Sequence, residues 1–268
     1  MNIIEVEDFS KVDDPVKTEE TLHLQLTAMA SSIDTQFSYV SMPLAWSINK
    51  RGLGDTQRRI DSICRHSKKL FFICQHILVD RLNFHGNLVF TPHATTMDFF
   101  TPIPHYSCNY DLNFSKPWEE REYTFSFVGS FLTHPVRRRI AEYLRGRKDC
   151  LVVDTGQWHF EGAQEKQQNN SRNYSEVLGD TKYSLCPRGT GPSTIRIWES
   201  MAMGAKPIIL SDHLKMPLSL ECDTQLWERT PEKFDNLDKF FNNEKYDNKE
   251  YFQFFSNENL YKSVTTLL

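Results

Sequence analysis

Arg196 and Glu199, opposite in charge, stand three residues apart in the stretch Tyr183–Asp212, YSLCPRGTGPSTIRIWESMAMGAKPIILSD. On a helix that spacing puts both on one face. A cation there suits a diphosphate, and a carboxylate suits the hydroxyls of a ribose. Arg188 lies just before, in the turn-rich run Pro187-Arg188-Gly189-Thr190-Gly191-Pro192, and offers a second cation. Ser193 and Thr194 are of the type that caps a helix, and capping is compatible with phosphate binding. Gly129 and Ser130 end another apolar run, where glycine lets a backbone approach a ligand closely. A separate group sits earlier in the chain. His76, His93 and His105 occur in polar loops that follow apolar runs, with Asp80 and Asp98 nearby in sequence.

These residues need strands and helices to place them. Tyr183–Cys186 reads as a strand, and a helix from Ser193 or Thr194 to about Gly204 carries Ile195, Ile197, Trp198, Met201 and Ala202 inward. Pro207–Leu210 is a strand of the buried parallel kind. Upstream, Tyr123–Val128 is a strand, His134–Arg145 a helix, Cys150–Asp154 a strand and Tyr174–Gly179 a short helix. Such alternation predicts a parallel α/β sheet with ligands at the strand ends. Asp154 and Thr155 end one of those strands, where they either border the base of a nucleotide or form a plain turn.

The first part is harder to read. Residues 1–36 look like a polar entry arm or short helix. Phe37–Trp46 reads as a strand, Asn49–Gly52 as a turn, Thr56–Ser67 as a helix, and Leu70–Ile73 and Asn87–Phe90 as strands. Asn113–Arg121 has the charge and proline of a linker, and Gln164–Arg172 the polarity of a mobile loop. Pro231–Asn243 and Glu250–Leu268 read as closing amphipathic helices. Two α/β halves joined near residue 117 follow.

The 268 residues carry a formal charge of −4, so nucleic acid is not an expected partner. The amino-terminal MNIIEVEDFS has no apolar core, and no apolar run reaches the roughly 20 residues that span a bilayer, so a cytoplasmic protein is expected. Six cysteines without a CxxC pair suggest reduced thiols, neither a zinc site nor a disulfide scaffold. Sequons at Asn113, Asn169 and Asn173 read as chance. Trp46 and Trp158 are of a type that stacks on sugars or bases, although packing is the ordinary role of tryptophan.

The ordered set Leu185-Cys186-Pro187-Arg188-Gly189, Ser193-x-x-Arg196-x-x-Glu199 and Gly204-x-x-Pro207-x-Ile209-x-x-Asp212 resembles the signature of exostosin-like glycosyltransferases, family 47. Tyr123–Ser130 followed by Arg137 is similar to a second element of that family. The resemblance covers residues 122–212, and earlier only Phe71-Phe72-Ile73 before His76 is similar.

It implies an α/β GT-B fold, two Rossmann-like domains facing a cleft. Residues 1–117 would take the acceptor and residues 118–268 the nucleotide-sugar. It implies inverting transfer from a donor, a UDP-sugar and first of all UDP-xylose, to a hydroxyl of a glycan acceptor, giving a β-glycoside. Arg137 and Arg196 would hold the diphosphate, and Glu199 the ribose. His76, His93 or Asp98, with His105 and Asp80 as further candidates, would take the acceptor's proton, unless the transition state is dissociative enough to need no base. The chain has no D-x-D motif, which suits a transferase without a bound metal or other cofactor. Its shortness and want of an anchor imply a compact microbial or viral member. The alternative is a nucleotide- or carbohydrate-binding protein of the same fold without catalysis. A dinucleotide oxidoreductase is disfavoured, because no G-x-G-x-x-G follows a strand.

Overall fold

The computed structural model describes residues 1–13, 16–156, 164–217, 225–241 and 244–268, with 164–171 described by backbone alone. Trp158 and Cys222 lie outside the described residues. The chain divides into two compact units. The first holds Met1–Tyr106, a return segment beginning at His213, and Asn257–Leu268. The second begins at Ser107 and ends at Ser256.

The first unit runs β1 (Asn2–Glu5), α1 (Lys17–Met29), β2 (Ser38–Ser41), α2 (Leu44–His66), β3 (Leu70–Ile73), β4 (Leu88–Thr91) and β5 (Thr101–Pro102). The strands pair in parallel in the order β1-β2-β3-β4-β5. Successive strand residues face opposite sides, and two cores result. Val40, Leu70, Phe72 and Val89 pack with Leu44, Ile48 and Ile60 of α2. Tyr39, Phe71, Ile73 and Phe90 pack with Leu22 and Leu26 of α1 and with Leu260 and Val264.

Several expectations change here. Of the two alternatives for residues 1–36 the helix is the one found, at Lys17–Met29, and a strand at Asn2–Glu5 that was not expected precedes it. The strand expected at Phe37–Trp46 stops at Ser41, because Pro43 leads directly into α2. The turn expected at Asn49–Gly52 lies inside α2, which breaks only at Gly52, whose φ of 80° suits glycine alone. Trp46 sits on that helix, its indole donating to Asp13 Oδ1 at 2.8 Å.

The second unit runs β6 (Tyr123–Val128), α3 (Pro135–Tyr143), β7 (Cys150–Val153), α4 (Gln164–Gly179), β8 (Thr181–Pro187), α5 (Arg196–Ala202), β9 (Lys206–Leu210) and β10 (Glu228–Arg229). Its strands are again all parallel, in the order β10-β9-β8-β6-β7. The chain therefore leaves β6 first to one side, making β7, and then to the other, making β8. That reversal is a topological switch point, and open α/β sheets bind ligands outside the carboxyl ends of the two strands that flank it.

The segment read as a linker is packed into this unit. Lys116 N donates to Gly179 O at 3.1 Å, and Trp118 is buried. The Arg121 guanidinium donates to the carbonyls of Lys116, Thr181 and Met203. The division falls instead between Tyr106 and Ser107. The loop expected at Gln164–Arg172 is helical, being the first half of α4.

Among the described residues Pro231–Asn243 holds only a 3-10 turn at Asp238–Phe240. Glu250–Leu268 is likewise no single helix. A π-type turn, Tyr251–Phe255, ends at the extended Ser256, and α6 (Lys262–Thr265) follows in the first unit. Among the described residues no helix is long and apolar enough to cross a membrane, and no cluster of His, Cys, Asp or Glu has the makings of a metal site.

Candidate functional site

The switch point of the second unit is lined by arginines. Arg137, on α3, sends Nη1 to Ser130 O and Nε to Arg188 O, both at 2.9 Å, so it bridges the loops that follow β6 and β8. His134 and Pro135 position it. The imidazole Nδ1 of His134 caps α3 at Val136 N, and proline fits the first helical turn. Arg196, at the start of α5, donates Nη2 to Val128 O at the end of β6. Its guanidinium lies over the Phe127 ring at 4.6 Å and the Tyr174 ring at 5.6 Å, and Arg137 lies over Phe127 at 5.6 Å.

The two cations are 9% and 8% exposed, and neither forms an ion pair with a carboxylate among the described residues. Burial, and after it the charge of Arg196, pushes the Arg137 pKa down to about 9. Among the described residues Arg196 Nε is buried without a hydrogen-bond partner, as is Thr133 Oγ1. Arg121 makes the contrast plain. Equally buried, it spends its donors on three carbonyls and the Ser115 hydroxyl. Arg121 is a structural bolt, whereas Arg196 keeps donor capacity in reserve.

The glycines here make room for guanidinium groups. A β-carbon on Gly129 would stand 2.8 Å from Arg196 Nη2, and one on Gly189 would stand 3.1 Å from Arg137 Nη2 and 3.7 Å from Thr133 Oγ1. Ser130 is buried, its hydroxyl accepting from Leu132 N at 3.3 Å. Asp154 takes Phe131 N and Gly156 N, both at 3.0 Å, and so holds the loop after β6 in shape. Arg188 reaches Glu232 at 3.7 Å, and Glu232 in turn exchanges backbone-to-carboxylate bonds with Asp212. Ser193 is buried and Thr194 half-buried, but neither caps α5. Its cap position is Ile195, with no side-chain bond.

Glu199 does not lie open beside Arg196. It is 1% exposed, and Oε1 accepts from Asn109 N at 2.9 Å and Asn109 Nδ2 at 3.0 Å. Burial raises its pKa, against the Asn109 bonds and the nearby Arg196 charge, which both favour the ionised form. The neighbouring Tyr174 hydroxyl also favours that form, without a hydrogen bond of full geometry. Sequence reading missed Asn109, Thr133 and Tyr174, none of which belongs to a recognisable spacing. Phe127 stood inside the strand that was read, but its service as a shelf for two cations left no signal.

In the first unit the candidate bases differ in what they have left to offer. His76 uses both ring nitrogens: Nδ1 accepts from Leu78 N and Nε2 meets Asn49 Oδ1, each at 3.1 Å. Asp98 accepts from Thr95 N, Thr95 Oγ1 and Phe100 N. His93 is buried, with Nδ1 unpartnered among the described residues, and burial holds its pKa near 4, so the ring is neutral at physiological pH. His105 packs edge-on to it at 5.1 Å and is itself held well below the usual histidine range by burial and by His93.

Against known proteins, the family description Exostosin GT47 domain matches residues 59–226. The chain belongs to that family of exostosin-like glycosyltransferases. It is similar to ribitol-5-phosphate xylosyltransferase 1 of Danio rerio, at 27% identity over 94 residues, 34% of this chain and 21% of that one. It is 28% identical over 102 residues to a probable glucuronoxylan glucuronosyltransferase of Arabidopsis thaliana, covering 37% and 21% of the two chains. With an exostosin-1 homolog of Caenorhabditis elegans it shares 24% over 144 residues, 47% and 38% of the two. The GT47 chain thus spans well under half the length of these relatives.

Proposed function

We propose that the second unit binds the diphosphate of a nucleotide-sugar and that the chain transfers the sugar to a hydroxyl of a glycan. The observation that carries this is the pair Arg137 and Arg196, buried side by side at the switch point, neither of them in an ion pair with a carboxylate among the described residues, and only Arg196 near one, the buried Glu199. Buried charge without a partner costs several kcal/mol, and an anionic ligand removes that cost. A diphosphate brings the oxygens that Arg196 Nε and Thr133 Oγ1 lack. The same cations favour departure of the nucleotide, because charge grows on the diphosphate as the bond to the sugar breaks. Glu199, in this reading, keeps Asn109 and the start of α5 in place beside them.

The finer features rest on family likeness: a UDP donor, inversion at the anomeric carbon and a β-linked product. Xylose is the first sugar to try, since one relative is named a xylosyltransferase and another a glucuronosyltransferase.

Titration calorimetry with UDP tests the binding half. Arg137→Ala and Arg196→Ala should each weaken UDP at least about tenfold, one lost charge-assisted contact being worth about 1.5–3 kcal/mol. Arg121→Ala should lower the melting temperature and leave the affinity of the folded fraction alone. Unchanged binding in both site variants would remove the diphosphate assignment. UDP binding without hydrolysis or transfer of UDP-xylose, UDP-glucuronic acid or UDP-N-acetylglucosamine would favour the alternative of a non-catalytic binding protein.

A further inference from the structure

The connection between β4 and β5 holds two apolar side chains in open solvent, Phe99 at 103% exposure and Met97 at 80%. Single exposed apolar residues are ordinary. What sets these apart is how firmly the backbone beneath them is held. Asp98, between the two, accepts from Thr95 N at 2.8 Å and Thr95 Oγ1 at 2.7 Å through Oδ2, and from Phe100 N at 2.9 Å through Oδ1. Lys215 Nζ donates to Asp98 O at 2.6 Å and lies 3.8 Å from the carboxylate. Thr96 N to His213 O and Lys215 N to Ala94 O add backbone ties to the return segment. Phe100 turns the other way and packs edge-on to Phe84 at 6.1 Å. A loop so braced keeps Phe99 outside.

Its place in the sheet points to a ligand. β5 pairs at the very end of β4, Phe90 with Thr101 and Thr91 with Pro102, so residues 92–100 lie at the carboxyl end of parallel strands. His93, with its unpartnered Nδ1, is on the same connection. The occupant must be small. One aromatic and one methionine side chain offer on the order of 300 Å² between them, far below the roughly 800 Å² per partner of a stable protein interface. It must also be uncharged at the contact, because the Asp98 carboxylate is taken up by the loop and Lys215 is turned toward it. A pyranose ring meets both demands: one face presents C–H groups to an aromatic ring, while its hydroxyls stay in water.

We propose that Phe99, with Met97 beside it in sequence, is a stacking platform for a pyranose ring of the glycan acceptor. This rests on the glycosyltransferase reading and adds the place where the acceptor is held. Affinity electrophoresis of the full chain through gels containing soluble xylan, mixed-linkage β-glucan or dextran tests it, with UDP calorimetry alongside. Wild type should be retarded by at least one polysaccharide. Phe99→Ala should weaken that retardation about tenfold at an unchanged melting temperature, Phe99→Tyr should restore most of it, and UDP affinity should be equal in all three.

Equal retardation of wild type and Phe99→Ala overturns the platform, and so does an absence of retardation in every gel. Phe99-dependent sedimentation with phosphatidylcholine vesicles, or Phe99-dependent self-association, without Phe99-dependent retardation also overturns it. Phe99-dependent retardation in a chain that does not bind UDP leaves the platform standing and refutes the donor reading instead.

Discussion

Glu19 shows how far position governs a side chain that reads as an ordinary surface acid. It is buried on α1, and its carboxylate accepts from Gln75 N at 2.7 Å and from Ala45 N at 3.1 and 3.2 Å, so it also caps the start of α2. Those bonds favour the ionised form, but burial outweighs them and raises the pKa to about 8. The folded value lies above the ordinary 4.5, so the fold resists ionisation. The stability this group contributes is fully present below pH 4.5 and is lost as pH rises to about 8. Urea unfolding between those limits should show stability falling by roughly a few kcal/mol, and Glu19→Gln should flatten the slope. A wild-type slope as flat as the variant's would mean that Glu19 does not ionise within that window. None of this was legible in sequence, where Lys17-Thr18-Glu19-Glu20 looks solvated. The arginines were legible because their spacing is fixed by the short path from strand to helix. Asn109 was not, since it meets Glu199 across ninety residues.

Elements were read well where one pattern ruled and poorly where two competed. Leu70–Ile73 and Tyr123–Val128 matched β3 and β6 residue for residue, the first as a short apolar run buried throughout, the second by β-forming residues that bury Phe125, Ser126 and Phe127 at its middle. The segment 164–172 read as a loop because polar residues dominate it, yet its backbone is helical. Helical hydrogen bonds need no apolar side chains, so polarity was a poor guide there. Two glycines on these elements make opposite predictions for one substitution. At Gly129 a β-carbon would meet the far end of the Arg196 side chain at 2.8 Å, which can move aside. Gly129→Ala should therefore change the melting temperature little while weakening UDP about tenfold, by displacing a guanidinium rather than by unfolding. At Gly179, the end of α4, a β-carbon would run into the Phe114 carbonyl oxygen, which is backbone and cannot yield cheaply. Gly179→Ala should cost about 1–3 kcal/mol or more by overpacking. Thermal melts paired with UDP titrations separate the two, and a Gly129→Ala chain that binds UDP normally would show that the placement of Arg196 is not critical.

At the scale of the whole molecule, the first unit is not one run of chain. Asn257–Leu268 joins it from the far end. Gln25 on α1 clamps this segment at both atoms of its amide: Nε2 donates to Asn257 O at 2.7 Å, and Oε1 accepts from Tyr261 N at 3.0 Å. Leu260 and Val264 are fully buried against Leu22, Leu26, Tyr39 and Phe71, and Thr35 Oγ1 donates to Leu268 O at 3.2 Å. A reading that cuts the chain near its middle cannot see this, because the contacts pair residues more than two hundred positions apart. The apolar periodicity of 250–268 announced burial but not which core would receive it. Leu260→Ala removes side-chain atoms from a packed interior and should cost about 2–5 kcal/mol. The arginines that hold the diphosphate in our reading all belong to the second unit, so UDP affinity of the folded variant should stay within about twofold of wild type, as expected for sites that share no partners. Urea unfolding followed by circular dichroism, with calorimetry at a temperature where the variant is folded, checks both halves. A stable Leu260→Ala chain would mean that the carboxyl-terminal segment is dispensable to the first core. A folded variant that has lost UDP would mean that the donor site depends on more than the second unit.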